Sequence, residues 1–333
     1  MNRQLFQYDP AIGYRFIPGL RARVQHEGGG YLVRVNQAGF RCEHELSSAK
    51  RPGCFRVLLF GDSYTAGDGV SNPQRYGDLL EQRIPGLEVL NFGLPGTGTD
   101  QHYLIHREVA PKLEHDLVVI GLLVENIRRV AARFRPYATR GGRPLILAKP
   151  YFSLGADGEL TLQHVPVPKR PLPDDVLPPD ERDRVDRGGR LPWLRALVNR
   201  AGPRAKEWAQ RLSRYQPLPG YDSPQEPAWQ LLRAILERWA SEAKRPILIC
   251  PIPLYQYVEG SASPQAYQAR FAELSAPPRI AIHDPLPDLR RHPAEARRGF
   301  RFRIDPHPTP AGHRALAESL ATALRPRVAA ARG

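Results

Sequence analysis

The sequence predicts a doubly wound α/β fold with a parallel sheet of about five strands. Five short apolar runs are each bounded by turn residues, and continuous runs of this kind suit strands that are buried on both faces of a parallel sheet. Helical patterns lie between the runs, and this alternation of strand and helix is typical of doubly wound sheets. The predicted strands are Phe55–Phe60, Leu87–Phe92, Leu117–Val124, Pro246–Pro251 and Arg279–His283.

The helices are predicted from apolar residues that recur every three or four positions. Residues Pro73–Arg83 and Pro264–Leu274 both have this spacing. The last helix also has a clear start, with Thr309 as the N-cap and Pro310 in the first turn. His313 falls on the apolar face of this last helix, so we interpret it as a structural histidine.

Two segments interrupt the alternation of strands and helices. Residues 1–52 are rich in glycine and polar residues, and we expect them to form an arm packed on the core. Residues 128–244 separate the third and fourth strands by far more than a usual α/β crossover, which indicates an insertion. The predicted organisation is therefore an arm at 1–52, a core at 53–127 and 245–333, and an insertion at 128–244.

The insertion leaves the sheet directly after the third strand, so we expect it to form a wall or a cover of any site at that edge. Its first half, Pro144–Pro179, is rich in proline and has a hairpin-like pattern, and helical pieces follow. The apolar faces of Leu191–Leu197 and Trp229–Trp239 could line a substrate pocket. Packing on the body of the protein without substrate contact is the alternative.

The formal net charge is +14, and much of it lies in the insertion. Between Arg128 and Arg214 there are 19 Lys and Arg residues against 9 Asp and Glu residues. The excess is almost entirely arginine and is scattered rather than clustered. We interpret it as solvated surface, with an anionic substrate or partner as an open alternative, and nucleic acid is the least favoured partner.

The longest apolar run, Leu117–Val124, is far shorter than the roughly 20 residues that span a bilayer. The start, MNRQLFQYDP, has no apolar signal core. We therefore expect a cytoplasmic protein without a transmembrane segment. The three cysteines have no metal-binding spacing, and Cys250, in the apolar run ILIC, is interpreted as a core residue.

Residues that could take part in catalysis follow the predicted strands, at the edge where ligands bind in sheets of this kind. The first strand runs into GDSYTAG, which places Ser63 on a tight turn. A serine in this place presents its hydroxyl and its backbone N–H to the same space, which suits a nucleophile if a base lies nearby. Capping of the following turn is an equally weighted alternative. The glycines do not match a phosphate-binding loop.

The next two strands end in residues that could stabilise a developing negative charge. The second strand is followed by NFGLPGTG, where Gly93 and Gly96 allow backbone N–H groups to approach a ligand closely. A plain turn is the alternative. The third strand ends at Asn126, whose side-chain amide could donate to an oxyanion, although asparagine in this place is more often a turn former.

The fourth signal is Asp305-Pro306-His307-Pro308, immediately before the last helix. Each of Asp305 and His307 precedes a proline, which favours extended backbone. An aspartate two residues before a histidine on a stiffened loop can orient the imidazole and stabilise its charged form. Metal ligation is the competing use, but the sequence has no further histidine or carboxylate cluster at ligand spacing.

Taken in order, GDSYTAG, the glycine loop, the asparagine and the D-x-H pair resemble the SGNH hydrolase superfamily, which contains GDSL-like serine esterases and lipases. The resemblance covers residues 55–126 and 246–325, and the upstream GYRFIPG and NQAGFR are similar to a segment that often precedes this core. It implies a flavodoxin-like sheet. By the same resemblance Ser63 would be the nucleophile and, through its N–H, the first oxyanion donor.

The remaining roles are also implied by the resemblance. Gly96 matches the oxyanion glycine of the family better than Gly93, Asn126 would be the third oxyanion donor, and His307 would be the general base with Asp305 as its orienting partner. The sequence departs from the family in two places. An isoleucine follows the asparagine where the family often has aspartate, and D-x-H stands where D-x-x-H is common. Neither departure removes a catalytic group.

The resemblance implies hydrolysis of a carboxylic ester through an acyl-enzyme on Ser63, with no metal and no organic cofactor. We expect a small-molecule, glycan or natural-product ester, with an anionic substrate as an open alternative. Two other functions remain open: an O-acyltransferase that uses the same residues, and a non-catalytic binding protein of the same fold. The intact set of residues argues against the second. The acyl group, the alcohol and the oligomeric state do not follow from the sequence.

Overall fold

The computed structural model describes residues 5–137, 145–171 and 217–331. The strands are β1 (Phe6–Asp9), β2 (Gly13–Phe16), β3 (Arg21–Val24), β4 (Tyr31–Arg34), β5 (Phe55–Gly61), β6 (Leu87–Asn91), β7 (Leu117–Leu123), β8 (Phe134–Tyr137), β9 (Leu145–Ala148), β10 (Tyr151–Leu154), β11 (Leu160–Gln163), β12 (Ile247–Ile252) and β13 (Ile280–Ile282). The α-helices are α1 (Ser63–Ala66), α2 (Tyr76–Arg83), α3 (Thr99–Val109), α4 (Asn126–Val130), α5 (Pro227–Glu242), α6 (Tyr255–Glu259), α7 (Gln265–Ala272), α8 (Leu286–Arg291), α9 (Ala294–Arg298) and α10 (Pro310–Ala330).

Five of these strands form one parallel sheet in the order β13-β12-β7-β5-β6. Every residue of β5, β6, β7 and β12 is buried, which explains why these strands appear in the sequence as continuous apolar runs. The predicted doubly wound α/β fold is therefore confirmed, and the five predicted strands are the five strands of this sheet. Their ends coincide with the predicted ones or differ from them by one residue.

Helices cover both faces of the sheet. Gly77 of α2 lies against Leu59 of β5, because a Cβ on that glycine would be 2.8 Å from Leu59 Cδ2. The next residue along β5, Phe60, packs edge-to-face on Trp239 of α5, with ring centroids 5.4 Å apart. Successive side chains of a strand point to opposite faces, so α2 and α5 lie on opposite sides of the sheet. α10 packs beside α2, and α3 packs beside α5.

Helix α5, which the sequence analysis places at the end of the insertion, packs on the sheet as the connection from β7 to β12. Its Trp229 and Trp239 are fully buried in the core. The indole rings are therefore core side chains and do not line a substrate pocket. The other apolar face considered for that purpose, Leu191–Leu197, lies outside the described residues.

The N-terminal arm consists of two antiparallel hairpins, β1–β2 and β3–β4, and a following loop that is anchored by Arg41. The side chain of Arg41 is fully buried. Its guanidinium donates to the carbonyl oxygens of Ala66 and Gly67, each at 2.7 Å, to that of Val70, and to Asn72 Oδ1 at 2.7 Å. The arm is thus hydrogen-bonded to the chain that follows α1.

The described part of the insertion begins with two more hairpins, β8–β9 and β10–β11. Lys149, which follows β9, is buried and forms an ion pair with Asp100 of α3. Its ammonium also donates to the carbonyl oxygens of Arg129 at 3.0 Å and Ala132 at 3.1 Å. This contact holds the first hairpin against the helix that follows β6.

Three smaller predictions from the sequence are confirmed. Helix α10 begins with Pro310 after Thr309, whose hydroxyl oxygen accepts a hydrogen bond from the N–H of Gly312 at 3.2 Å. His313 is fully buried, and its Nδ1 accepts from the N–H of Tyr76 at 3.2 Å. Cys250 is buried in β12. No helix in the described ranges is both long and apolar enough to cross a membrane.

Candidate active site

The site is built around the turn that follows β5. Asp62 is the N-cap of α1, and its carboxylate accepts a hydrogen bond from the N–H of Tyr64 at 3.0 Å. Ser63 is the first residue of the helix, where the backbone N–H has no partner within the helix. The helix ends after one turn at Gly67, which has a φ of +80° and is therefore in the left-handed region that glycine tolerates.

Close backbone packing fixes this turn on the sheet. A Cβ on Gly61 would lie 2.0 Å from Thr65 Oγ1 and 2.7 Å from the carbonyl oxygen of Gly121, so a larger residue does not fit. From the neighbouring strand, Asn91 Nδ2 donates to the carbonyl oxygen of Thr65 at 3.0 Å, and the N–H of Leu94 donates to that of Gly61 at 3.0 Å. The turn with Ser63 and the glycine loop after β6 are therefore joined directly.

His307 lies between Ser63 and Asp305. His307 Nε2 is 2.8 Å from Ser63 Oγ, and His307 Nδ1 is hydrogen-bonded to Asp305 Oδ1. The backbone N–H of His307 donates to the same carboxylate oxygen at 3.1 Å. Because Nδ1 faces a carboxylate, we assign the imidazole proton to Nδ1, which leaves Nε2 free to accept the proton of the serine hydroxyl.

The electrostatics of this pair favour a charged imidazole. Burial raises the pKa of Asp305, but the hydrogen bonds and charge of His307 outweigh it, and the pKa of this carboxyl lies well below its usual range. Burial lowers the pKa of His307, but the bond to Asp305 and the negative charges of Asp68 and Asp305 outweigh it, so the pKa of His307 is raised. An imidazole in this setting is a stronger proton acceptor than a free histidine.

Asn126 lies at the same edge of the sheet, because it begins α4 directly after the end of β7, the strand that pairs with β5. Its side chain is fully buried, and within the described ranges neither Oδ1 nor Nδ2 has a hydrogen-bond partner. An unpaired buried amide costs about 1–3 kcal/mol. Such groups are rare in folded proteins, and one at the edge of a site calls for an explanation.

Gly96 lies in the loop after β6 with a φ of +74°, a conformation that disfavours any side chain. A Cβ there would be 1.9 Å from Nη2 of Arg135, which lies in β8 of the insertion. The guanidinium of Arg135 also lies over the ring of Tyr14, 5.0 Å from its centroid, and Tyr14 donates its hydroxyl hydrogen to the carbonyl oxygen of Pro95 at 2.6 Å. The arm and the insertion therefore meet at the glycine loop.

A second arginine of the insertion binds the nucleophile turn. Nη1 of Arg129, in α4, donates to Asp62 Oδ2 at 2.7 Å and to the carbonyl oxygen of Thr97 at 3.1 Å. Asp62 is fully buried, so this ion pair neutralises a carboxylate that cannot reach water. One side chain thus connects the turn after β5 with the loop after β6.

A narrow apolar pocket lies beside His307, between the end of β12, the helices α6 and α8–α10, and the loop of the histidine. Its wall is mostly aliphatic, aromatic and proline side chains, and Arg297 and Arg301 also line it. Three of its residues are neighbours in sequence of Ser63 or His307, and they are Tyr64, Pro306 and Pro308. The pocket therefore lies next to Ser63 and His307.

The structure brings Ser63, His307 and Asp305 into one hydrogen-bonded series. It places Gly96 in the loop after β6 and Asn126 at the start of the helix after β7, and these are the two strands that flank β5. Sequence reasoning missed the arginines described above and also His26, whose Nε2 lies 3.1 Å from Asp305 Oδ2. The nearest signal for His26 in the sequence is the run of three glycines that begins two residues later, which marks a turn.

No group of three or more His, Cys, Asp and Glu side chains in the described ranges is arranged to hold a metal ion. The chemistry that the geometry permits is proton transfer from Ser63 to His307, with the positive charge that develops stabilised by Asp305. A serine, a histidine and an aspartate that are hydrogen-bonded in this order at the edge of a parallel α/β sheet are typical of one class of proteins, the serine hydrolases.

The chain belongs to the GDSL-like lipase/acylhydrolase family, whose model matches residues 59–315. It is accordingly a hydrolase of the serine esterase type, as the resemblance to the SGNH superfamily predicts. A comparison with curated proteins found no match.

Several solved structures are similar to the chain. A lipolytic protein of the G-D-S-L family from Veillonella parvula DSM 2008 is 12% identical, with 81% of this chain and 97% of that chain covered and a TM-score of 0.41. A lipase/acylhydrolase from Enterococcus faecalis is 15% identical, with 82% and 96% covered and a TM-score of 0.41. An acetyl xylan esterase is 14% identical, with 81% and 100% covered and a TM-score of 0.43.

Proposed function

We propose that the protein hydrolyses a carboxylic ester through an acyl-enzyme on Ser63. The observation that carries the proposal is the 2.8 Å contact between His307 Nε2 and Ser63 Oγ, together with the contact of His307 Nδ1 with Asp305. A general base must be within hydrogen-bond reach of the proton that it removes, and this distance satisfies that condition. His307 is the base in this proposal, and Asp305 orients it.

In the first half of the reaction His307 Nε2 takes the proton of Ser63 as Oγ bonds to the carbonyl carbon of the ester. The tetrahedral intermediate collapses, the bond from carbon to the alcohol oxygen breaks, and the alcohol leaves with the proton from His307. In the second half water gives a proton to His307 and attacks the acyl carbon. The bond to Ser63 then breaks, and Ser63 recovers its proton.

The negative oxygen that forms in each half needs donors that are in place before the reaction. The Ser63 N–H, at the first position of α1, the Gly96 N–H and the Asn126 amide are the donors in this proposal. The buried, unpaired amide of Asn126 supports this assignment, since a bound oxyanion would give its Nδ2 the partner that the described residues do not provide.

The substrate is proposed to be a small-molecule, glycan or natural-product ester with a hydrocarbon part that lies beside His307. The narrow pocket there has an apolar lining that suits such a group. Arg135 lies next to Gly96, where its guanidinium donates to the carbonyl oxygen of Pro95 at 3.4 Å and lies over the ring of Tyr14. The start of the insertion is thus proposed to be a wall of the site.

The test combines covalent labelling with a substrate series. The protein is incubated with a fluorophosphonate, and the modified peptide is identified by mass spectrometry, with Ser63→Ala as the matched control. A series of 4-nitrophenyl esters of graded chain length is then assayed. We expect a single adduct on Ser63 and turnover of at least part of the series. An adduct on another residue, or equal labelling of Ser63→Ala, would contradict the assignment.

The same assay separates hydrolysis from acyl transfer. Free acid and 4-nitrophenol are measured together, with and without a sugar or another alcohol as acceptor. Equal amounts of the two products under both conditions are expected of a hydrolase. A shortfall of free acid when the acceptor is present would identify an acyltransferase that uses the same residues.

A further inference from the structure

The turn between β3 and β4 of the N-terminal arm lies against the loop that contains Asp305 and His307. His26 Nε2 is 3.1 Å from Asp305 Oδ2, and the two residues are 279 positions apart in the chain. The other ring nitrogen, Nδ1, accepts a hydrogen bond from the N–H of Gly28 at 3.3 Å. Because Nδ1 is an acceptor, the proton is on Nε2, and His26 donates to the carboxylate of Asp305.

The carboxylate of Asp305 is therefore held on both oxygens. Oδ1 accepts from the side chain and from the backbone N–H of His307, and Oδ2 accepts from His26. The terminal torsion of an aspartate has a broad energy minimum, so one bonded oxygen alone fixes the orientation of the group poorly. Two donors on opposite oxygens restrict the rotation and keep Oδ1 on the imidazole.

His26 itself is held by contacts that do not involve Asp305. Its side chain is 12% exposed, and its ring packs edge-to-face on Phe302, with centroids 4.4 Å apart. A Cβ on Gly69, in the loop after α1, would be 3.1 Å from His26 Cε1, so the ring also touches the chain that carries the nucleophile. These contacts hold the imidazole in position independently of its hydrogen bond to Asp305.

The residue after His26 strengthens the same contact. The carboxylate of Glu27 accepts hydrogen bonds from the backbone N–H of Ile304 at 3.0 Å and from that of Asp305 at 2.6 Å. These bonds hold the backbone of the loop, whereas His26 holds the side chain of Asp305. The turn of the arm is therefore in contact with both parts of the acid–base loop.

We propose that His26 is a positioning residue for the reaction. By donating to Oδ2 of Asp305, it keeps Oδ1 hydrogen-bonded to His307. The inference rests on the proposed function, because it acts through the assigned roles of Asp305 and His307. It concerns the rate of the chemical step, in which His307 becomes positively charged, and not the binding of the substrate.

The test compares two amides that differ by one methylene group. In His26→Gln the amide nitrogen reaches about as far as Nε2 of the histidine, whereas in His26→Asn it is too short to reach the carboxylate. We expect His26→Asn to lower kcat about tenfold with KM within about twofold of wild type, the scale of one hydrogen bond to a charged group. His26→Gln should stay within about threefold of wild type in kcat.

A matched control exists in the same arm. His44 also pairs with a carboxylate, with Nε2 2.8 Å from Glu81 Oε1, but this carboxylate belongs to α2 and not to the loop of Asp305 and His307. His44→Asn should leave kcat unchanged. In an Asp305→Ala background His26→Asn should have no further effect on kcat, because a residue that acts through Asp305 cannot act in its absence.

The hydrogen-bonded Nδ1–H of His307 is expected to give a far-downfield proton resonance, which provides a direct readout. It should persist in His26→Gln and weaken or shift in His26→Asn. The inference is overturned if His26→Asn keeps kcat within twofold of wild type, if His26→Gln loses as much activity as His26→Asn, or if His26→Asn still lowers kcat in the Asp305→Ala background. A failure of Ser63 labelling in the wild type would instead reject the proposed function, so the two failures are distinguishable.

Discussion

The two sides of Ser63 differ in how their polar groups are held. On the side of His307, hydrogen bonds run from the serine hydroxyl through the imidazole to Asp305 and on to His26 in the arm. On the other side, the amide of Asn126 is buried and has no partner within the described ranges. The first side is hydrogen-bonded throughout in the free protein, whereas the amide on the second side is left for a ligand in the proposed function. Under that proposal the first side would contribute to both folding and reactivity, and the second to reactivity alone.

The largest effect is expected from a substitution of Ser63, the residue at which the hydrogen-bonded series through His307 and Asp305 ends. Ser63→Ala should lower kcat by about 10⁴–10⁶-fold, the scale for removal of a nucleophile that acts with a base. Folding should be unaffected, since the change removes one hydroxyl. The measurement is kcat on the best 4-nitrophenyl ester together with thermal unfolding, with Ser153→Ala in β10 as the control. Activity within tenfold of wild type would mean that another residue is the nucleophile.

The next effect tests the unpaired side. Asn126→Leu should lower kcat by about 10²–10³-fold, as expected for one lost oxyanion donor. The melting temperature should stay the same or rise, because the substitution replaces an unsatisfied buried amide by an apolar group of similar size. Steady-state kinetics and calorimetry on the same preparation give both numbers. A fall in melting temperature with unchanged kcat would make Asn126 a structural turn former.

The pH dependence of kcat/KM distinguishes the His307 side of Ser63 from the Asn126 side with a single substrate. The pKa of His307 is raised, and the base must be neutral, so kcat/KM should rise with pH through an apparent pKa at or above the ordinary histidine value of about 6.5. Below it the rate should fall about tenfold per pH unit. Asn126→Leu should lower the whole profile without moving it along the pH axis. A profile that is flat down to about pH 5 would contradict a histidine base.

The smallest expected effect concerns the start of the insertion beside Gly96. Arg135→Ala should raise KM about twofold to fivefold for an ester that carries a carboxylate and for a neutral ester of the same size alike, because its guanidinium supports the glycine loop through Pro95 and Tyr14. Arg133→Ala, whose guanidinium lies over the ring of Tyr151, is the control. A rise confined to the carboxylate ester would mean that Arg135 acts through its charge on the substrate.

The sheet could be predicted closely because strands buried on both faces must be apolar throughout, and the sequence shows that property directly. The pair Asp305–His307 could be predicted because the two residues are near each other in the chain and each is stiffened by a following proline. In both cases the information is local. The turn that carries Ser63 could be predicted for the same reason, because consecutive glycine and polar residues follow the first strand.

The contacts that could not be predicted are those between distant segments. His26 reaches Asp305 only because β3 pairs with β4 in one particular register and the arm then packs on the core. Arg135 reaches Gly96 through the path of β8. The position of helix α5 was misjudged for a related reason: its amphipathic pattern predicts a buried face but does not say which surface covers it.

The ion pair of Lys149 with Asp100 has a consequence for the rigidity of the hairpin beside the glycine loop. Both charges are buried, and Lys149 also holds two backbone carbonyl oxygens next to α4. Loss of either partner leaves an uncompensated buried charge, which costs about 3–5 kcal/mol. The position of this hairpin, and with it that of Arg135 in β8, is therefore coupled to the free energy of folding.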